Sequence, residues 1–147
     1  FRMWYVAGGA WETLEGKRVP VYELRTLESD DGIRWPETGR LVMAVQPEHE
    51  HGLGRPWVVP QAGGYRMHYS VRRRAPARYR LGLAHSRDGI DWTRDDGALG
   101  LDVSPGDWDG DSLEYSAEIR AGGRHWLLYN GDDFGGTGFG IAERVES

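Results

Sequence analysis

The chain has no cysteine. That excludes a disulfide framework and any thiolate metal centre, and it removes cysteine usage as a guide to redox compartment. It has no apolar run near the length of a bilayer-spanning helix and no charged-then-apolar leader, so neither a membrane anchor nor a signal segment is read from these residues. The first residue is Phe1 rather than Met. Targeting information upstream of "FRMWYV" would therefore be missing, and localisation stays unread. Helical periodicity is also lacking, because no stretch between Gly or Pro sustains an apolar i, i+3, i+4 pattern for three turns. Positive charge is not in excess. A formal net charge of −5 gives no footprint for nucleic acid, and "VRRRAPAR" at 71–78 reads as a solvated basic loop.

Aromatic residues are plentiful. With 39% hydrophobic and 12% aromatic residues, the 147-residue chain has apolar surface for one domain-sized core. Seven Trp and seven Tyr stand against three Phe, and such amphipathic rings suit both strand packing and the stacking of a sugar ring. The turn "ESDDGIRW" (28–35) recurs as "HSRDGIDW" (85–92), 57 residues later. Around it, "FRMWYV" (1–6), "YRMHYS" (65–70) and "RHWLLY" (124–129) form one group of strand-like segments. A second group comprises "VYELRTLESDDG" (21–32), "RYRLGLAHSRDG" (78–89) and "TGFGIAER" (137–144). A third comprises "GRPWVVPQAGG" (54–64) and "EYSAEIRAGG" (114–123). Asp-Gly between strand-like runs predicts a two-residue hairpin turn, with Gly at positive φ and the following Trp folded back across it.

Units of roughly 57 to 60 residues, each built of four short strands, predict an all-β fold of the β-propeller type. The strand count gives one partial domain over 1–147, with a partial blade at 1–50, a complete one at 51–106 and a nearly complete one at 107–147. Two and a half to three blades fall short of the four to eight that typically close a propeller, so the sequence reads as a fragment. Its open strand edges predict self-association into a homo-oligomer that closes the ring.

The ordered segments "FRMWYV", "ESDDGIRW", "GRPWVV" with "GYRMHYS", "YRLGLAHSRDGIDW", "WDGDSLEYSAEI" and "RHWLLYNGDDFGGTGFGIA" resemble the glycosidase-like five-bladed β-propellers. That group includes glycoside hydrolase families 32, 43, 68 and 130 and their bacterial relatives from polysaccharide gene clusters. The resemblance spans nearly the whole chain and implies the C-terminal part of a protein about twice as long. It also implies that carboxylates from the innermost strands meet at the propeller axis. There one protonates the leaving oxygen, another acts as nucleophile or base, and a third tunes the acid.

Carried over residue by residue, the resemblance makes Glu114 the candidate general acid, nine residues before Gly123. Arg55, nine residues before Gly64, stands where these hydrolases commonly carry Asp before Pro. Its planar fork suits a substrate hydroxyl, carboxylate or phosphate. Asp111, three residues before Glu114, is placed at the same channel mouth as a second catalytic candidate. Trp57 and Tyr115 are candidate stacking surfaces. His68 is either a packed strand histidine or a substrate contact facing the channel.

The remaining motifs read as structural. "DWDGDS" at 107–112 spaces its acids like a calcium loop, but Ser112 occupies the required Gly position and the flanks are strands, so an acidic connecting loop is expected. "PEHEH" at 47–51 supplies His and Glu without a fixed third ligand and reads as a solvated loop. His85, where the first unit has Glu28, reads as tolerance at the turn. No metal and no cofactor is expected. The expectation is a carbohydrate-active, glycosidase-like propeller that hydrolyses or binds a glycan. The alternative is a non-catalytic module that binds glycans or proteins, or an assembling scaffold.

Overall fold

The computed structural model describes residues 1–145. Ten strands carry the fold: β1 (Arg2–Leu14), β2 (Lys17–Glu28), β3 (Arg40–Met43), β4 (Glu50–Gln61), β5 (Gly64–Arg73), β6 (Tyr79–Ser86), β7 (Trp92–Arg94), β8 (Glu114–Ala121), β9 (Arg124–Asn130) and β10 (Phe139–Glu143). One sheet is ordered β1-β2-β4-β5-β6-β7, with β3 also on β2, and a second is ordered β10-β9-β8. The backbone pairing of β2 with β4 is a single parallel bridge at Tyr22 and Gly52, so the first sheet divides there into two antiparallel groups. Three curled antiparallel groups therefore follow one another, an all-β architecture of the partial propeller type. Among the described residues no helix is long and apolar enough to cross a membrane.

Strand alternation decides which side of β5 faces which neighbour. Met67, Tyr69 and Val71 join Leu24, Met43, Leu53 and Ala84 in one apolar core. The intervening residues of β5 point the other way, toward β8, and are polar. Arg66 donates through Nε and Nη2 to the Glu118 carboxylate at 2.9 and 2.6 Å. His68 Nε2 and His125 Nδ1 reach the same group at 2.9 and 3.0 Å. Glu118 is 6% exposed. Burial pushes its carboxyl up, but the bonds from His68, Arg66 and His125 outweigh that and hold it well below the usual range. Further along the same interface, Leu81, Leu113, Leu127 and Tyr129 form a second core.

The recurring turn is built differently from a two-residue hairpin. Eleven residues separate β2 from β3 and five separate β6 from β7. The loops are organised by side chains: Ser29 Oγ accepts the Gly32 amide, and Asp31 Oδ1 accepts those of Ile33 and Arg34. Ser86 and Asp88 make the same bonds to Gly89, Ile90 and Asp91. A serine hydroxyl and an aspartate replace the backbone bonds of a tight turn. The expected positive φ is present at Gly32 (73°) and Gly89 (78°), and Trp35 and Trp92 fold back to bond the carbonyls of those glycines, each at 3.1 Å.

Two loops expected to be solvated are so only in part: residues 47–49, 73 and 75–78 are exposed, and the rest are not. Glu50 and His51 of "PEHEH" begin β4 and are buried, and Arg94 meets both Glu50 oxygens at 2.9 and 2.5 Å. In "VRRRAPAR", Arg72 lies in β5 between the Tyr22 and Tyr79 rings, and Arg74 pairs with Glu12.

A cross-strand Tyr–Gly contact recurs where a ring lies flat on a bare backbone. Tyr69 faces Gly82, and Tyr129 faces Gly140. A methyl at Gly82 would overlap the Tyr69 ring, which is fully buried and cannot yield. Gly82→Ala is expected to cost about 1–3 kcal/mol of stability by chemical denaturation, whereas Gly97→Ala, which meets nothing within 4 Å, is expected to be neutral.

Candidate functional site

The inner strands β4 and β8 share a break in register near the site, between Gly54 and Trp57 and between Glu114 and Ala117; β4 has another between Glu50 and Gly52. Inside each β-bulge one non-glycine residue takes a left-handed conformation, Arg55 at φ 44° and Tyr115 at φ 50°. Such residues cost about 1–3 kcal/mol each and persist only where the surroundings impose them. Here Ser70 Oγ accepts the Tyr115 amide at 3.1 Å.

The bulges correct the sequence alignment. Counting from the hairpin pairs Gln61–Gly64 and Ala121–Arg124, Tyr115 is the counterpart of Arg55, and Glu114 is the counterpart of Gly54. The match of Arg55 with Glu114 was one residue out. Gly122 and Gly123 both occupy the second turn with positive φ, whereas Gly64 already belongs to β5.

Glu114 opens β8 and is 3% exposed. Its Oε2 has no hydrogen-bond partner. Burial, followed by the charges of Asp132 and Asp133, pushes its carboxyl up to about 7, while the Phe134 backbone amide offsets part of the rise. Asp132 is committed elsewhere, because its Oδ1 accepts the amides of Asp111 and Ser112 at 2.9 and 2.6 Å. Asp133 enters no ion pair among the described residues. Asp133 and Phe134 are themselves left-handed, both at φ 56°. Of five such non-glycine residues among those described, four (Arg55, Tyr115, Asp133 and Phe134) gather around Glu114, and the fifth, Glu15, is in the β1–β2 turn.

Aromatic rings surround the acid. Tyr115 stacks on Phe134 with centroids 6.1 Å apart and meets Tyr79 edge-on at 5.7 Å. Arg55 lies over Tyr115 at 5.8 Å, and Arg72 lies over Tyr79 at 5.9 Å. Burial, the Tyr115 hydroxyl and nearby Glu114 all push the Tyr79 phenol up. The arrangement offers a buried carboxyl that titrates near neutral pH, next to exposed and half-buried rings that in turn carry two guanidinium groups.

The sequence candidates therefore separate. Glu114, Tyr115 and Arg55 come together. Asp111 touches the cluster only through its backbone amide; its side chain is 69% exposed and faces Arg78 at 3.6 Å. His68 is buried against Glu118, and Trp57 donates its indole N–H to the Glu118 carbonyl at 3.0 Å. Both belong to the neighbouring interface, where Arg66, His68, His85, Glu118 and His125 line a cavity of about 640 Å³. In that cavity Arg66, His68 and His125 all bond Glu118, and His68 Nδ1, like Glu114 Oε2, has no partner. Sequence reasoning missed Tyr79, Arg72, Asp132, Asp133 and Phe134. The two acids and the ring lie in "NGDDFGG", where charged and aromatic residues interrupt a Gly-rich loop.

No protein-family model matches the chain. It is 37% identical over 142 residues to "Uncharacterized protein Rv1502" of Mycobacterium tuberculosis H37Rv, covering 97% of this chain and 46% of that protein. The chain thus spans about half the length of the curated relatives it matches. Among solved structures, a thermostable family-43 glycoside hydrolase superposes with a TM-score of 0.75 at 17% identity, over 99% of this chain and 51% of that one. A second glycoside hydrolase gives 0.69 at 22% identity, over 97% and 40%. A family 117 glycoside hydrolase of the marine bacterium Zobellia galactanivorans gives 0.63 at 18% identity, over 84% and 37%. The fold is that of the glycosidase-like propellers.

Because the folded Glu114 carboxyl lies above its ordinary 4.5, the folded state holds a proton that the unfolded chain has released. Stability is then expected to fall as pH rises from 4.5 to about 7. Carboxyl-carbon NMR should show Glu114 titrating near 7, and Glu114→Gln should remove this part of the pH dependence. A Glu114 titration near 4.5 would contradict the assignment.

Proposed function

We propose that the Glu114 cluster is the glycan-binding part of a glycosidase-like active site, with Glu114 as the acid that protonates the leaving oxygen. The observation that carries this reading is the buried Glu114 carboxyl with its unpartnered Oε2, set among strained residues and aromatic rings. Cleavage of a glycosidic bond leaves a poor alkoxide, so a proton must arrive as the bond breaks. A carboxyl poised near neutral pH is suited to deliver it. Tyr115 and Phe134 offer surfaces for the apolar face of a sugar, and Arg55 orients its polar groups. Within the cluster, Asp133 is the carboxylate free to serve as the electron-rich partner.

One observation favours a second reading, a non-catalytic glycan-binding module. At the register of Glu114 the neighbouring inner strand carries Gly54, so that strand supplies no catalytic carboxyl to complete a pair. The number of blades, five by resemblance, and the closing of open edges by further blades or by a second copy belong to the same proposal.

Kinetics of the full-length protein on glycosides separate the two. Glu114→Gln should lower kcat by about 10²–10⁴-fold on substrates with poor, sugar leaving groups. The loss should be much smaller on nitrophenyl glycosides, whose leaving group needs little protonation, and binding should be retained. An equal loss on both would remove Glu114 from the acid role. Binding without cleavage by the unmodified protein would favour the module.

A further inference from the structure

We propose that the glycan taken by this site is anionic, and that Arg55 and Arg72, on either side of the Tyr79–Tyr115 pair, bind its carboxylate or sulfate groups; this rests on the reading of the Glu114 cluster as a glycan site. The arginines that build the fold are paired with acids: Arg66 with Glu118, Arg74 with Glu12, and Arg94 with Glu50 and Asp96. Arg55 and Arg72 enter no ion pair among the described residues. They are positioned instead by aromatic faces, Arg55 by Tyr115 at 5.8 Å and Arg72 by Tyr22 and Tyr79 at 5.5 and 5.9 Å. Ring contact uses the flat face of a guanidinium and leaves its N–H edge available for a planar, bidentate partner.

Arg72 is held further by what its neighbour lacks. Gly52 stands opposite it across the β4–β5 pair, and a Cβ there would come within 3.0 Å of the Arg72 Cδ, so the bare backbone lets the side chain lie across the strand. Packing on rings and backbone fixes the cation before a ligand arrives and lowers the ordering cost of binding. Neither arginine serves the local acids, since Asp132 and Asp133 act on Glu114 without an offsetting guanidinium. Arg55 is exposed and Arg72 is partly exposed, so both are reachable. Tyr79 and Tyr115 stand between them, an aromatic floor for the sugar that carries the charge.

The test uses the full-length protein on an array of neutral, uronate-containing and sulfated oligosaccharides, followed by calorimetry on the best ligand and its neutral counterpart of equal length. The expected result is that a uronate or a sulfated sugar binds at least about tenfold more tightly than the neutral one. The preference should shrink at high salt, shrink in Arg55→Ala and in Arg72→Ala, and disappear when both are replaced. Arg55→Lys and Arg72→Lys should keep part of it, because the charge remains while the fork is lost. Which anionic sugar binds identifies the anion. Equal binding of neutral sugars overturns the anionic proposal and leaves the glycan site standing, whereas no binding to any glycan overturns both. A preference that survives replacement of both overturns the assignment to Arg55 and Arg72.

Discussion

A carboxylate buried between two sheets fixes the geometry on which the candidate site depends. Glu118 takes bonds from Arg66 and His68 on β5 and from His125 on β9, so it sets β8 against the neighbouring sheet at one height. Its desolvation is offset because its oxygens are met by the Arg66 fork and two imidazoles, and loss of Arg66 would leave a carboxylate in the interior without its opposite charge. Four residues earlier on the same strand, Glu114 receives no such set. Two glutamates on one strand thus have opposite fates. One is held ionised as a structural tie, and the other has its carboxyl pushed up toward neutral pH.

The strain around Glu114 follows from the same constraint. With β8 tied down at Glu118 and the chain re-entering at Asn130, opposite Glu114, the extra residues are absorbed locally. They appear as the β8 bulge and as the left-handed pair Asp133 and Phe134. Ser70 holds the bulge, and Asn130 Nδ2 and the Thr137 hydroxyl hold the loop through bonds to Phe134 and Asp132 carbonyls. Strain held by structure in this way is a feature of sites rather than of cores.

Strands and turns were legible in the sequence because they depend on local chemistry. Ser-x-Asp-Gly carries its own hydrogen-bond network, and the alternating aromatic segments became β1, β5 and β9. What escaped depended on contacts distant in the chain. "PEHEH" and "VRRRAPAR" look solvated by composition, yet Glu50 is buried against Arg94, 44 residues away, and Arg72 is held by Tyr22 from another strand group. The shared "AGG" of the two inner hairpins concealed a one-residue difference in turn position, and only the ladder reveals that Tyr115, not Glu114, matches Arg55. Glu118 was passed over because its partners lie about 50 residues away in β5.

The most direct measurement is a crystal structure of the full-length protein, carrying Glu114→Gln, with an oligosaccharide bound. The expected result is a sugar ring against Tyr115 or Phe134, with a glycosidic oxygen in hydrogen-bond reach of residue 114 and an anionic substituent on Arg55 or Arg72. A sugar seated instead in the cavity beside Glu118, His68 and His125, with the Glu114 cluster empty, would contradict the account.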